Sequence, residues 1–247
     1  MAEMSVTPRP TRIIATVAVM IAHLGAALAL AGSPARGKRG AQPTEPPAGA
    51  VALGSAPPQT VDLRLPFDGI WGVIQGEDSG ETHVGYAAFA LDFVPAERLT
   101  AKSAERRKRL EDFPCFGQPV LAPADGRVLW ARDGAIDHAP YYEGKHEAGN
   151  FVILEHAPAE YTEFRHLKSG SVVVKVGDDV RRGQAIARCG NSGNSNTPHL
   201  HVGFLGSVDP IATRPMKFSH YDVLGPDGKW RPGDGVPRGQ QILRPTR

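Results

Sequence analysis

The chain has 247 residues, of which 41% are hydrophobic and 22% charged, and this length allows one or two domains. The formal net charge of only +2, with no Lys- or Arg-rich stripe that carries interleaved aromatic residues, excludes nucleic acid as an expected partner. The 28 Gly and 22 Pro residues favour turns and short strands over long helices.

Residues 1–32 have the pattern of an export segment. Arg9 and Arg12 precede an uncharged run over 13–32, which matches the charged and apolar regions of a secretory signal. Ala29-Leu30-Ala31 fits a small-x-small cleavage site, but the run is also long enough to span a bilayer uncleaved. We therefore expect an exported protein of the periplasm or cell envelope, either cut to a secreted form or anchored in the membrane by this segment.

The next segment, 33–60, is rich in Pro, Ala and Gly and contains no aromatic residue. This composition predicts a flexible linker. A folded domain is expected over 61–215. The Pro- and Gly-rich residues 216–247 are expected to form a tail that packs on this domain as a loop and hairpin.

The domain region is a succession of short strands separated by turn residues. Apolar or alternating segments predict strands over 120–122, 127–130, 150–156, 161–167, 171–176 and 184–187. Asp125-Gly126, between the first two, is a hairpin-like turn signal. This density of short strands predicts a mainly β protein, with a compact antiparallel β-sandwich or barrel-like domain.

One segment, 95–113, departs from the strand pattern because it is rich in helix-forming and charged residues. It predicts a short helix inserted into the β domain. A solvated surface helix is one interpretation of this insertion. The other is a lid that faces the substrate and could occlude the site.

Cys115 and Cys189 are the two cysteines of the chain, and both follow the export segment. In an oxidising compartment such a pair predicts one disulfide, which would tie the segment before Pro119 to the loop before His199. Two buried free thiols are the alternative. The pair lacks the close C-x-x-C spacing of a zinc site.

The segment Pro198-His199-Leu200-His201 is the most informative of the chain. Side chains at i and i+2 of a strand point to one face, so His199 and His201 present two imidazoles side by side. Such a pair suits metal binding or proton transfer better than packing.

Two further histidines, His83 and His166, lie in the strand-rich region, and Asp92 is the only acid between Val84 and Pro95. A buried carboxylate needs a partner, and a metal ion is a good one. Two imidazoles and one carboxylate with an open position form a known type of catalytic zinc site. Spacing alone does not decide which three side chains bind, and other divalent metals stay possible.

Several of these segments, in this order, resemble the lysostaphin/LytM-type zinc metallopeptidases, which are peptidoglycan endopeptidases of bacterial cell walls. The resemblance covers about residues 76–204. It implies a compact antiparallel β domain with its site in a groove between sheet and loops. The segments that carry it are Asp92-Phe93, Arg165-His166-Leu167, Val176-Gly177-Asp178, Arg182-Gly183-Gln184, the glycine-rich 189–195 and Pro198–His201.

The resemblance implies Zn²⁺ as the cofactor and a peptidoglycan peptide as the substrate. It implies that His83, Asp92 and His201 bind zinc, and that His166 and His199 are catalytic without binding it. One of these two, His199 first, would take the proton of the attacking water, and the other would donate a hydrogen bond to the developing oxyanion. The pattern departs from the family at one point, since eight residues separate His83 from Asp92, more than is usual.

Two other functions are compatible with parts of the sequence. A non-catalytic cell-wall module that activates other wall hydrolases would share the fold, and zinc content together with peptide-bond cleavage distinguishes it from an enzyme. A lipoyl- or biotinyl-like carrier domain shares the Val-Gly-Asp…Gly-Gln-Ala-Ile rhythm, with Lys217 as the candidate for the modified lysine. The sequence sets neither the bond cleaved nor the oligomeric state.

Overall fold

The computed structural model describes residues 58–77, 83–99, 107–142, 148–208 and 211–246. The expected export segment and the linker up to residue 57 lie outside these ranges. Within them, no helix is long and apolar enough to cross a lipid bilayer.

The described residues form thirteen strands, whose pairings are all antiparallel, and three short 3₁₀ helices. The mainly β, antiparallel fold expected from the sequence is confirmed. The strands are β1 Trp71–Gln75, β2 Leu91–Pro95, β3 Pro119–Leu121, β4 Gly126–Arg132, β5 Asn150–Ala157, β6 Glu160–Leu167, β7 Asp179–Val180, β8 Ala185–Arg188, β9 Leu200–Val208, β10 Ile211–Thr213, β11 Phe218–Leu224, β12 Trp230–Gly235 and β13 Ile242–Pro245. The 3₁₀ helices are Gly85–Ala87, Ala96–Leu99 and Leu110–Asp112.

One large sheet contains most of these strands, in the order β12-β11-β13-β1-β2-β9-β6-β5-β4-β7, with β10 paired to β9. β3 and β8 form a separate two-stranded sheet. Strands β2, β9 and β6 are therefore neighbours at the centre of the large sheet, although they are far apart in the chain. Residues on one face of these three strands are brought together by the ladder itself.

The two faces of β9 have different roles. Leu200, Val202 and Phe204 are fully buried in the main hydrophobic core, which also contains Leu91 and Phe93 of β2. Because side chains alternate along a strand, the intervening residues of both strands point to the opposite face. The apolar positions of β2 and β9 thus determine which residues point away from the core. Burial of the large apolar side chains stabilises this register of the two strands.

Two local expectations about strands are wrong. No regular strand forms over 171–176, where Val173 is 71% exposed and its N–H bonds to the carbonyl of Ile186. The turn Asp125-Gly126 does not join a hairpin either, because β3 pairs with β8, whereas β4 pairs with β5 and β7. In both places long-range pairing overrides the local turn and strand signals.

The insertion over 95–113 is described only at its two ends, because residues 100–106 lie outside the described ranges. Each described end forms a single 3₁₀ turn, over Ala96–Leu99 and Leu110–Asp112. Phe113, at the end of the insertion, is buried. The insertion therefore packs against the domain at both described ends.

The C-terminal residues contribute three strands to the large sheet. β11 and β12 pair with each other, and β13 joins β11 to β1. Phe218, Tyr221 and Leu243 are buried in the main core. Lys217 is exposed just before β11, between β10 and β11, which do not pair with each other, so it is not at a hairpin tip, which argues against the carrier-domain alternative.

Cys115 and Cys189 form a disulfide, with 5.8 Å between their Cα atoms, so the predicted pairing is confirmed. Both residues are fully buried. The backbone reinforces the link, since the N–H of Gly117 bonds to the carbonyl of Cys189 and the N–H of Cys189 bonds to that of Gln118. The disulfide thereby fixes the start of the glycine-rich segment 189–195.

Candidate metal centre and active site

Asp92 and His201 are directly opposed in the β2–β9 ladder, on the face opposite to the main core. The Nδ1 atom of His201 lies 2.9 Å from Oδ1 of Asp92. Both side chains are nearly buried. The contact follows from the register, because Leu91 and Phe93 of β2 face the core opposite Val202 and Leu200.

His83 reaches the same carboxylate from the loop that precedes β2. Its Nε2 atom lies 3.3 Å from Oδ1 of Asp92, and its Nδ1 atom lies 3.1 Å from the carbonyl oxygen of Gly76. A carbonyl only accepts hydrogen bonds, so Nδ1 carries a proton, and Nε2 is the ring atom that faces Asp92. The eight residues between His83 and Asp92 include a 3₁₀ turn that returns the chain to β2.

His166 and His199 lie beside this group. His166 is the penultimate residue of β6 and has a positive φ of 59°, an uncommon conformation for a residue other than glycine. Its Nδ1 bonds to the carbonyl of Ser192 at 2.9 Å. His199 precedes β9, and its Nδ1 bonds to the carbonyl of Thr197 at 2.8 Å. The two ring centres are 4.7 Å apart. The Nε2 atom of His199 lies 3.6 Å from Oδ1 of Asp92.

All five residues singled out from the sequence are therefore brought into one cluster, hereafter the five-residue cluster. The remaining described histidines lie elsewhere. His156 bonds to the carbonyl of Asp125 and to the hydroxyl of Thr162, and the side chain of His220 is 66% exposed. His146 lies outside the described residues.

Two sets of three side chains in the cluster have ligand atoms close enough to hold one metal ion. One is His83, Asp92 and His201, and the other is His166, His199 and His201. With zinc–ligand bonds of 2.0–2.1 Å, ligand atoms of a tetrahedral site lie about 3.3 Å apart. The distances of 3.3 and 2.9 Å from Oδ1 of Asp92 to His83 Nε2 and His201 Nδ1 fit such a site.

The charges of the cluster support the set that contains the carboxylate. Burial raises the pKa of Asp92, but the charges of His199 and His83 and the hydrogen bonds from His201 and His83 together hold it well below its usual range. Burial lowers the pKa of His83, and the neighbouring Asp92 more than offsets this, so that the pKa is raised. A buried carboxylate kept ionised attracts positive charge, whether from imidazolium or from a metal ion.

The second pair of histidines has the opposite electrostatics. Burial, followed by the charges of His199 and His201, lowers the pKa of His166 well below its usual range. Burial also lowers the pKa of His199, although Asp92 acts in the other direction. Both imidazoles are therefore neutral near pH 7, and each keeps its Nδ1 proton for a backbone carbonyl. The Nε2 lone pairs remain to accept a proton.

A polar network that sequence reasoning missed supports the loop behind His166. The carboxylate of Asp137 accepts hydrogen bonds from the N–H groups of Asn191 (2.7 Å) and Ser169 (2.9 Å). Ser192 Oγ accepts from the N–H of Asn150 and donates to the carbonyl of Leu167. The signal available in the sequence was Asn150, a polar residue that opens an otherwise apolar strand.

Residues 109–212 match the model of peptidase family M23. The chain carries an M23 peptidase domain. The match contains His166, His199 and His201, whereas His83 and Asp92 lie before it and reach the cluster through β2 and the preceding loop. The resemblance to the lysostaphin/LytM type is thereby confirmed.

Curated relatives of this chain include peptidases and murein hydrolase activators. It is 35% identical over 149 residues to an uncharacterized metalloprotease of Haemophilus influenzae, which covers 57% of this chain and 29% of that protein. It is 38% identical over 96 residues to the peptidoglycan DD-endopeptidase ShyA of Vibrio cholerae, covering 39% and 19%. It is 29% identical over 103 residues to the murein hydrolase activator NlpD of Escherichia coli, covering 41% and 24%.

The chain spans less than a third of the length of each of these relatives. Among solved structures, a zinc-containing peptidase from Vibrio cholerae is 26% identical, with a TM-score of 0.40 over 63% of this chain and 39% of that one.

Proposed function

We propose that this chain is a zinc-dependent endopeptidase that hydrolyses the peptide cross-links of bacterial peptidoglycan. The observation that carries the proposal is the convergence of three imidazoles on one buried carboxylate oxygen. Oδ1 of Asp92 lies 2.9 Å from His201, 3.3 Å from His83 and 3.6 Å from His199. Such an arrangement has little value for packing and suits a metal centre with an adjacent base.

In this proposal His83, Asp92 and His201 hold the metal through Nε2, Oδ1 and Nδ1. Zinc bound there would lower the pKa of a water molecule towards about 7 and polarise the carbonyl of the scissile bond. The carboxylate offsets part of the ion's charge, which the alternative set of three histidines does not do. The Gly76 carbonyl fixes the ring of His83, as expected of a partner that orients a ligand.

His199 acts as the general base. Its Nδ1–H is held by the carbonyl of Thr197, so Nε2 faces the cluster as a proton acceptor. Its lowered pKa keeps it neutral at the pH of the envelope. After His199 has taken the water proton, the resulting imidazolium can pass a proton to the leaving amine.

His166 completes the site from the other side. Because its Nδ1–H is committed to the carbonyl of Ser192, the neutral ring presents an acceptor at Nε2. It therefore orients the attacking water in the ground state. It donates a hydrogen bond to the oxyanion, the role expected from the sequence, only once it has itself been protonated.

The peptidoglycan substrate and the location in the cell envelope rest on other support. Relatives of this domain are a peptidoglycan DD-endopeptidase and a murein hydrolase activator by name, and the first segment of this chain has an export pattern. The disulfide agrees with an oxidising compartment. Whether the first segment is removed or retained as an anchor would be read from the N-terminus of the mature protein.

The test is the release of peptides from purified peptidoglycan by the chain from residue 58 onward. Release that a chelator abolishes and added zinc restores would support the enzyme, and mass spectrometry of the products would identify the bond cleaved. His199→Ala serves as the matched control, since it leaves the proposed ligands in place. Release that persists in this variant, or that resists the chelator, would contradict the proposal.

A second function is favoured by one observation, the 29% identity to an activator of murein hydrolases. A non-catalytic module would bind cell wall and stimulate another hydrolase without cleaving peptide bonds itself. The complete five-residue cluster argues for the enzyme. Stimulation of a separate wall hydrolase by a His199→Ala variant, together with no cleavage by the unmodified protein, would establish the activator instead.

A further inference from the structure

Arg98 of the insertion contacts the segment that leads into His199, and Arg107 lies near Arg98. The guanidinium of Arg98 donates from Nη1 to the carbonyl of Pro198 at 2.6 Å and from Nη2 to the hydroxyl of Thr197 at 2.8 Å. The ring of Phe113 lies 5.1 Å from the guanidinium carbon of Arg98 and 5.5 Å from that of Arg107. Phe113 thus contacts both guanidinium groups.

Among the described residues, the carboxylate of Asp112 is near enough to act on Arg107, but neither arginine has a directly contacting counter-charge. No carboxylate of those residues forms an ion pair with Arg98 or Arg107. Burial and then the charge of Arg107 lower the pKa of Arg98 to about 10, which still leaves it protonated at neutral pH. Two partly buried cations held close together are costly unless nearby negative charge compensates them, and a bound carboxylate would add such charge.

The positive charge lies beside the proposed catalytic base, because the two residues that Arg98 contacts, Thr197 and Pro198, directly precede His199. A guanidinium carries five N–H donors in a planar fork, and the two hydrogen bonds of Arg98 leave others for a ligand. Arg107 makes no hydrogen bond to the described residues. Both residues are partly accessible to solvent, so an anion can reach them.

We propose that Arg98 and Arg107 form an anion subsite that binds a carboxylate group of the peptide substrate next to His199. The inference rests on the proposed function, which it deepens by making the preferred substrate an acidic peptide. A planar carboxylate matches the guanidinium fork, and an apolar wall such as the Phe113 ring strengthens charge-assisted hydrogen bonds by excluding water. The insertion then serves in substrate selection, rather than as a solvated surface element.

The alternative is that Arg98 only holds the backbone of Thr197 and Pro198. Arg107 separates the two interpretations, since it has no such structural bond. Arg107→Gln removes one charge of the subsite and leaves the hydrogen bonds of Arg98 intact. Lys108→Gln is the matched control, because it removes the same charge from an exposed neighbour.

The experiment uses pairs of cross-linked peptides that differ at one group, a free carboxylate in one and its primary amide in the other. At one of the positions tested, we expect kcat/KM of the unmodified protein to be about tenfold higher for the peptide with the free carboxylate than for the peptide with the amide. Most of this difference should lie in KM. Arg107→Gln should reduce this preference to less than about threefold, whereas Lys108→Gln should retain it. Arg98→Lys should also reduce it, because the ammonium lacks the planar fork.

Binding measured by calorimetry in a His199→Ala background separates this inference from the proposed function. If the unmodified protein cleaves neither peptide, the proposed function fails, and the subsite is still decided by the affinities for acid and amide. Equal affinities at every carboxylate position would overturn the subsite. An acid preference that survives Arg107→Gln in full would overturn it as well.

Discussion

The Nδ1–H of His166 donates to the backbone carbonyl of Ser192, while the hydroxyl of Ser192 donates to the carbonyl of Leu167, the next residue after His166. The two residues therefore hold each other through both backbone and side chain, across the junction between β6 and the glycine-rich segment. His166 adopts its positive φ at this junction. The orientation of the proposed catalytic ring thus depends on a hydroxyl that never contacts the metal ligands.

Ser192→Ala tests this dependence. The substitution leaves the buried N–H of Asn150 without its acceptor and should lower the free energy of unfolding by about 1–3 kcal/mol. Because a small displacement of a catalytic group is expensive, kcat should fall about tenfold or more with little change in zinc content. Ser169→Ala is the control, since its side chain makes no hydrogen bond to the described residues. An unchanged kcat in Ser192→Ala would show that His166 is held by other means.

The metal and the base are separated by a second pair of substitutions. His201→Ala should abolish zinc binding, because it removes one of three proposed ligands, whereas His199→Ala should keep zinc and lose turnover by about 10²- to 10⁴-fold. Metal content by atomic absorption and kcat on a soluble peptide are the two readouts. Full zinc occupancy in His201→Ala would refute the assignment of His83, Asp92 and His201 as the ligand set.

Much of this cluster could be predicted from the sequence, for a specific reason. His201 lies in β9 and His199 directly before it, and the alternate positions 200, 202 and 204 are large and apolar, so periodicity predicted that the two histidines point away from the core. Asp92 stood alone among apolar residues, which marked it as a buried charge. Their mutual contact depends on the β2–β9 register, and no local pattern encodes a pairing between residues 109 positions apart.

Other features could not be predicted because they depend on long-range contacts. Val173 and Val176 belong to an apolar run that predicts a strand, yet both are more than half exposed. The arginines of the insertion resemble solvent-facing charges until Phe113 and the carbonyl of Pro198 are placed beside them. Local composition predicted a helix there, but the described ends make single 3₁₀ turns whose contacts with the domain decide their conformation.

The disulfide should contribute strongly to stability because it closes a long loop. Cys115 and Cys189 are 74 residues apart in sequence, and chain-entropy arguments assign about 4 kcal/mol to a link of this span. Replacing both cysteines by alanine should lower the free energy of unfolding by that order. Urea unfolding of the double variant, and of the unmodified protein with and without a reductant, provides the measurement. If the reductant shifted the unfolding midpoint of the double variant as much as that of the unmodified protein, the shift would not come from the disulfide.

His156 should make stability depend on pH, away from the proposed active site. Burial is the main cause that lowers its pKa, although the carbonyl of Asp125 and the charges of Glu160 and Asp125 act in the other direction. The unfolded chain therefore binds a proton at His156 more readily than the folded chain does. As the pH falls below about 6.5 towards the lower folded-state pKa, this difference removes stability, and above about 6.5 it has no effect.

His156→Gln should flatten that dependence, because glutamine does not titrate and can still form a hydrogen bond with Thr162. We expect its free energy of unfolding to be lower than that of the unmodified protein at about pH 8, by about 1 kcal/mol for a disturbed hydrogen bond, and to decline less towards about pH 5. Urea unfolding at the two pH values gives the change in the free energy of unfolding for each protein. Subtracting the change in the variant from that in the unmodified protein removes the contribution of the other histidines, which both proteins share. His220→Gln, at an exposed position, is the control. If the free energy of unfolding of His156→Gln declined as steeply towards acid pH as that of the His220→Gln control, the acid sensitivity would come from other groups. The five-residue cluster would then be the first candidate.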